Sequence, residues 1–256
     1  MDKKPGWFSR KKKQRGIRAL QRQLDYQENK ARGVKGREQA MLVQLTARSV
    51  ALQNRLNNIR PIEKSDKVLE VGSGAHGLVF GFKNNVAVGI DPLAVEYRRL
   101  FPIWQKDATT ASALGEKLPF SNAAFEFVLS DNVIDHAEDP FGIIDEFARV
   151  LKPGGLLYFT VNVHHPIYQI ASILHGAWNS LGLKFEISPF ADHTVHLTEN
   201  RVLKAFDRLP FEIIEQSSTI DTVKKNYRRI SPRGIQLLVK KTFYKNALTE
   251  IIAFRD

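Results

Sequence analysis

The chain has 256 residues, 43% hydrophobic and 25% charged, an ordinary globular composition with room for one sizeable α/β domain and an appendage. It contains no cysteine, which excludes disulfides, thiolate zinc sites and cysteine nucleophiles; no apolar run approaches the ~18 residues of a membrane span, and the charged start lacks the apolar core of a secretory signal. The whole net charge of +11 falls in residues 1–66, which hold 17 Lys/Arg and 6 Asp/Glu, while residues 67–215 are net acidic and 216–256 net basic.

Met1–Arg15, with Lys11-Lys12-Lys13, reads as a disordered basic segment, and Ile17–Lys30 as a short helix. An anionic partner for residues 1–40 is expected from this charge: nucleic acid, a phosphorylated glycan or lipid, or an anionic membrane surface. A solvated tail kept for solubility is the blander reading of residues 1–15. Arg37–Asn58 is a stronger helix. Leu42, Leu45, Leu52, Leu56 and Ile59 recur at three- and four-residue spacing, with Ser49 as the one polar interruption, a seam suited to packing on the main domain as a cap. Pro61 ends it. The division expected is a basic, partly disordered helical extension over 1–60 and the domain proper over 61–256.

Val68-Leu-Glu-Val-Gly-Ser-Gly-Ala-His-Gly77 is the most informative run. An apolar strand carrying Glu70 opens into Gly72, Gly74 and Gly77, a GxGxxG spacing that lets bare backbone N–H groups approach a ligand. Glu70 suits a cofactor with a cationic amino or sulfonium group and suits a pyrophosphate poorly. Asn85–Asp91 is a second strand ending in an acid, 19 residues after Gly72, where a carboxylate can accept ribose hydroxyls. Strand, turn and strand look like an opening βαβ unit.

Further along, Pro92–Phe101 reads as a helix, Gln105–Ala113 carries no clear signal, and Gly115–Phe120 is a loop. Ala124–Ser130 is a strand, and Asp139-Pro140 starts a helix to Lys152 that Pro153-Gly154-Gly155 stops. Leu156–Asn162 is a buried strand. Pro166–Leu181 reads as a helix, Leu183–His196 as irregular, Glu199–Leu209 as a helix capped by Thr198, Phe211–Ile220 as a strand, Pro232–Phe243 as a basic amphipathic helix, and Leu248–Phe254 as a closing strand. Strands alternating with helices imply a mostly parallel sheet covered on both faces, and the last two strands can pair antiparallel at one edge.

The Glu70–Gly77 loop, Asp91, Gly115-Glu-Lys-Leu-Pro-Phe120, Phe125–Ser130, Asp131-Asn-Val-Ile-Asp-His136 and Arg149-Val-Leu-Lys-Pro-Gly-Gly155 together resemble the class I S-adenosylmethionine-dependent methyltransferases, in the group with an LPF loop and a VLKPGG turn. The resemblance covers about residues 67–162. It implies an α/β, doubly wound, mostly parallel seven-stranded Rossmann-like sheet with an N-terminal helical extension, and S-adenosylmethionine as cofactor. It further implies that Glu70, Gly72, Gly74 and Gly77 hold the methionine portion, Asp91 the ribose, Gly115 and Glu116 the adenine edge, and that Asp131 and Asn132 lie beneath the methyl donor. A loop-capping role is the plainer reading of Asp131. Two departures stand out: Phe125-Glu126 replaces the family's Phe-Asp, and Leu114-Gly115 replaces its Asp-Ala.

Methyl transfer needs a base only when the acceptor must lose a proton. His136 is the candidate, set against a structural histidine that orients its loop. His165, His193 and His196 are expected to line a polar acceptor pocket, with His164 nearby; a metal is not expected, since no carboxylate falls at ligand spacing. His76 and His175 read as incidental or structural. The acceptor expected is small or medium, an anionic glycan or lipid-linked intermediate, in a cytoplasmic protein peripheral to an anionic surface. The alternatives are an RNA methyltransferase using the basic arm and a non-catalytic cofactor-binding protein of the same fold. A nicotinamide dehydrogenase is disfavoured: the chain's Tyr-x-x-x-Lys, Tyr26–Lys30, precedes the glycine loop.

Overall fold

The computed structural model describes residues 7–168, 196–229 and 243–256. The expected helices over Pro166–Leu181 and Pro232–Phe243, and the irregular stretch Leu183–His196, lie mostly outside the described residues, as do His175 and His193. Among the described residues the strands are β1 (Lys67–Val71), β2 (Val86–Ile90), β3 (Thr110–Ala111), β4 (Phe125–Asp131), β5 (Leu151–Val163), β6 (Phe211–Ser218) and β7 (Ala247–Arg255). They form one seven-stranded sheet in the order β3-β2-β1-β4-β5-β7-β6. The pairs from β3 to β5 are parallel; β7 is antiparallel to both β5 and β6. The antiparallel pairing expected of the last two strands at one edge is present, with β6 outermost and β7 between it and β5.

The helices are α1 (Trp7–Val34), α2 (Glu38–Ile59), α3 (Ala94–Leu100), α4 (Pro140–Val150), α5 (Glu199–Phe206) and α6 (Ile220–Arg229). α1 starts at Trp7, ten residues before the expected Ile17. The Lys, Arg and Gln of residues 10–15 are good helix formers, so the pattern of charge there is helical rather than disordered. α4 is capped as its sequence dictates: Asp139 accepts from the Gly142 amide at 3.2 Å and Pro140 takes the first helical position. β3 and α6 had no clear sequence signal, β3 because it is two residues long at the sheet edge.

The β1–β2 connection departs from a βαβ unit. It contains one turn of 3-10 helix, Leu78–Gly81, instead of an α-helix. Gly77, Gly81 and Asn84-Asn85 leave no run long enough for a stable one. The layer is completed by α2 instead. The Ser49 hydroxyl donates to the Leu78 carbonyl, and a Cβ on Gly81 would overlap Ser49, so helix and turn meet in close contact at the one polar interruption of the apolar seam. Leu52 and Leu56 join Val68, Phe127, Leu129, Leu156 and Ile252 in the core on that face of the sheet. Arg55 pairs with Glu215 of β6 at 2.5 Å and Glu250 of β7 at 2.6 Å, tying α2 across the sheet. The opposite face packs Leu69, Val71, Val128 and Phe159 against Ile143, Ile144 and Phe147 of α4 and Val202 and Phe206 of α5.

Because Leu56 is fully buried, Leu56→Ala should cost roughly 2–5 kcal/mol, as interior leucine truncations do. Urea unfolding followed by circular dichroism measures it; a change below ~1 kcal/mol would mean that α2 is a loose appendage.

Candidate cofactor site

The site gathers at the carboxyl ends of β1, β2 and β4. β1 is flanked by β2 on one side and β4 on the other, so connections leave it in opposite directions and open a crevice there. Gly72 and Gly74 have φ of +77° and +57°, the left-handed region that favours glycine. The Gly72 and Ser73 amides both donate to the Ile90 carbonyl, at 2.7 and 3.1 Å, which folds the loop over the end of β2. A Cβ on Gly72 would overlap Val133, and one on Gly77 would overlap the Glu70 carboxylate and Ser73.

Strand alternation puts Glu70 on the same face as Val68, under the 3-10 turn that α2 covers. Its carboxylate accepts from the Val79 amide at 2.8 Å. Burial pushes its pKa up to about 8, aided by the neighbouring Asp131 charge; the Val79 and Leu78 amides and the Arg48 guanidinium oppose that rise. Asp91 accepts from the Gly74 amide at 3.1 Å and the Leu93 amide at 2.8 Å, clamping the glycine loop to the approach of α3. Burial raises its pKa too, against those two amides.

Asp131 ends β4. It accepts from the Thr160 hydroxyl at 2.7 Å and pairs with Arg48 of α2 at 2.5 Å. Asn132 sits at φ +59°, donating its amide to the Thr160 carbonyl at 3.0 Å and accepting the Asn162 amide at 3.1 Å. Glu70, Gly72, Gly74, Gly77, Asp91, Asp131 and Asn132 therefore come together. Gly115 packs between Ile143 and Val71. Glu116 is turned to the entry of α4, accepting the Glu138 and Asp139 amides at 3.1 and 3.4 Å.

His136 closes a 3-10 turn after β4, half exposed, with Nε2 3.9 Å from the buried Asp135 carboxylate. Beyond the end of β5, buried His164 and His196 stand with ring centroids 5.0 Å apart, and Tyr168 stacks on His196 at 6.2 Å. His165 faces the other way, its ring 4.8 Å from Phe243; burial, then the Lys224 charge, lowers its pKa. His164 and His165 follow the same strand but face different neighbours, His164 meeting His196 and His165 meeting Phe243. No group of three or more His, Asp or Glu side chains among the described residues is arranged to hold a metal ion.

α1 also reaches the loop. Lys30 Nζ lies 2.9 Å from His76 Nε2, and His76 stacks on Trp104 at 5.1 Å. Burial, then the Lys30 and Arg48 charges, lowers the His76 pKa to about 4, so His76 is neutral and accepts the lysine proton. Arg48, Thr160 and Tyr168 were missed by the sequence reading. Nothing in Thr46-Ala-Arg-Ser49 separates Arg48 from the other basic residues of its segment; only the packing of α2 brings it to the crevice.

Residues 69–159 match the family described as "Methyltransferase domain". An uncharacterized methyltransferase of Mycobacterium sp. (strain JLS) is 33% identical over 98 residues, 38% of this chain and 38% of that protein. One from Schizosaccharomyces pombe is 29% identical over 111 residues, covering 38% of this chain and 40% of its own length. The chain thus aligns with about two fifths of the length of these curated relatives. Among solved structures, the YcgJ protein of Bacillus subtilis superposes with a TM-score of 0.56 at 15% identity, over 82% of this chain and 98% of that one. The geranyl diphosphate C-methyltransferase of Streptomyces coelicolor A3(2) gives 0.54 at 13%, over 82% and 77%. These solved structures share the overall fold, and the span that matches the methyltransferase-domain family carries the acid-flanked glycine loop from Glu70 to Gly77 together with Asp91.

Proposed function

We propose that the chain transfers a methyl group from S-adenosylmethionine to a small or medium acceptor, an anionic glycan or lipid-linked intermediate. The observation that carries this reading is the pair of acids at adjacent strands, buried Glu70 beneath the glycine loop and partly buried Asp91, just past β2, clamping it, at the point where the strand order reverses. The residues fit the cofactor. Glu70 is a buried carboxylate that an ammonium would help to ionise, Asp91 can accept two vicinal hydroxyls, and the backbone at Gly72 and Gly77 has no room for a Cβ.

In this reading Glu70 and the Gly72–Gly77 backbone hold the amino-acid end and Asp91 the ribose. Gly115 and Glu116 border the adenine, while Asp131 and Asn132 floor the reacting centre. When bound, the cofactor supplies an electrophilic methyl on a sulfonium, so alignment of donor and acceptor is the main contribution asked of the protein. His136, with Nε2 toward Asp135, would take the proton of a hydroxyl acceptor at Nδ1. His165, His193 and His196 would border the acceptor. Charge supports an anionic acceptor or surface, since basic segments flank the acidic stretch that carries the site. No helix among the described residues is long and apolar enough to cross a membrane, so contact with such a surface would be peripheral.

RNA is the second reading, favoured by the helical continuation of α1 through Arg10–Arg15, which makes a basic helical arm. The test is calorimetry with S-adenosylhomocysteine and with NAD, then transfer of a labelled methyl group to cell-extract fractions split into RNA, lipid, glycan and small molecules. S-adenosylhomocysteine should bind, NAD should not, and Asp91→Ala should weaken binding at least tenfold. Binding indifferent to Asp91→Ala would remove the cofactor assignment. Label in RNA, with a steep salt dependence lost on deleting residues 1–40, would favour the RNA reading over the lipid or glycan one.

A further inference from the structure

Resting on the cofactor reading above, we infer that Arg48 of α2 grips the carboxylate of the cofactor's amino-acid end, so that the N-terminal helix supplies part of the cofactor site. The amino-acid end of S-adenosylmethionine is a zwitterion. Its ammonium finds partners in Glu70 and Asp131, but its carboxylate, attached to the same carbon, would be repelled by both. A cation among these acids would offset that repulsion.

Arg48 stands there. Its Nη2 lies 2.5 Å from Asp131 Oδ2, at the carboxyl end of β4. Its charge also acts on Glu70, His76 and Tyr158, so its field spans the crevice from the glycine loop to β5. The next residue, Ser49, is buried and bonded to the Leu78 carbonyl, so the α2 seam fixes where the arginine emerges. A guanidinium carries five N–H donors in a planar fork matched to carboxylates. Among the described residues Asp131 is the hydrogen-bond partner of Arg48, and the side chain is 59% exposed, leaving donors for a ligand.

Among the described residues, three other cations near the sheet are committed elsewhere. Lys30 is turned to His76 and Trp104, Arg55 to Glu215 and Glu250, and Arg149 to Glu146 and the carbonyls of Leu118 and Phe120. The plain alternative is an exposed ion pair holding α2 to β4, worth at most ~1 kcal/mol of stability. The two readings part on the ligand.

The test is calorimetry on the full chain with two probes, S-adenosylhomocysteine and S-adenosyl-3-thiopropylamine, which lacks only the carboxylate. Arg48→Ala and Arg48→Gln are compared with the wild type, the second keeping the stem should the first fold poorly. Loss of a charge-assisted carboxylate contact should weaken S-adenosylhomocysteine binding roughly 10- to 100-fold and leave the decarboxylated probe unchanged, so the two affinities converge. Undiminished binding, or equal loss for both probes, would overturn the role of Arg48 while leaving the cofactor reading intact. A wild type that binds neither probe would overturn both.

Discussion

Glu70→Gln should weaken S-adenosylhomocysteine binding roughly 10- to 100-fold, the worth of a charge-assisted contact, and at the same time make the ligand-free protein more stable at pH 8. The second half follows from burial. The folded-state pKa of Glu70 is raised from 4.5 to about 8, so the folded chain keeps a proton that the unfolded chain has released. The contribution to stability is full below pH 4.5, is lost as pH rises through about 8, and levels off above it. At ~1.4 kcal/mol per unit the loss is on the order of a few kcal/mol. Gln at this position keeps an acceptor for the Val79 amide and does not titrate. Urea midpoints for both proteins between pH 5 and 9 should diverge with rising pH, the wild type falling relative to the variant. Parallel profiles would show that Glu70 is not the group titrating. Ligand binding should also release a proton near pH 7, visible as a dependence of the binding heat on the buffer, and that dependence should vanish in the variant.

The second large effect separates glycines that a motif treats alike. Gly72→Ala should cost roughly 2–5 kcal/mol, because a Cβ at φ +77° is strained and overlaps Val133. Gly74→Ala should cost only ~1 kcal/mol, since its φ is +57° but nothing lies within 4 Å of the added atom. A Val133→Ala change should recover much of the Gly72→Ala loss and none of the Gly74→Ala loss, a coupling that a double-mutant cycle reads directly. Equal costs at the two positions would mean that the loop relaxes freely and Val133 sets nothing.

The strands around the site were legible because apolar runs ending in an acid or glycine are short-range signals: β1, β2 and β4 fall close to where pattern and turn residues put them, while β5 starts at Leu151 and takes in the Pro153-Gly154-Gly155 run expected as a helix stop. The α4 cap was legible for the same reason. What escaped depends on packing between distant segments. The GxGxxG spacing suggested a βαβ unit, yet the helix over that face comes from α2, and only the contact of Ser49 with Leu78 and Gly81 reveals it. The resemblance implies a place beside adenine for Glu116, and the packing adds what the sequence did not show, that its side chain also accepts two amides at the entry of α4. Arg48 reaches the crevice only through the packing of α2, and His165 parts from His196 because adjacent His164 and His165 after β5 face different neighbours and His196 lies against His164.

The position of β7 bears on how the chain reaches its fold. The strand latest in the sequence pairs with β5 along Leu156–Val163 and with β6 along Phe211–Ser218, so it is an interior strand. During synthesis, which presents N-terminal segments first, β1 to β5 can assemble early while β5 keeps an open ladder of N–H and C=O groups. Ala247–Arg255 has to slide between two strands already made, carrying Ile251, Ile252 and Ala253 into the core. Closure of the sheet therefore waits until Ala247–Arg255 has been made, and until then the apolar edge of β5 is the surface on which a chaperone or a misfolding neighbour would first act.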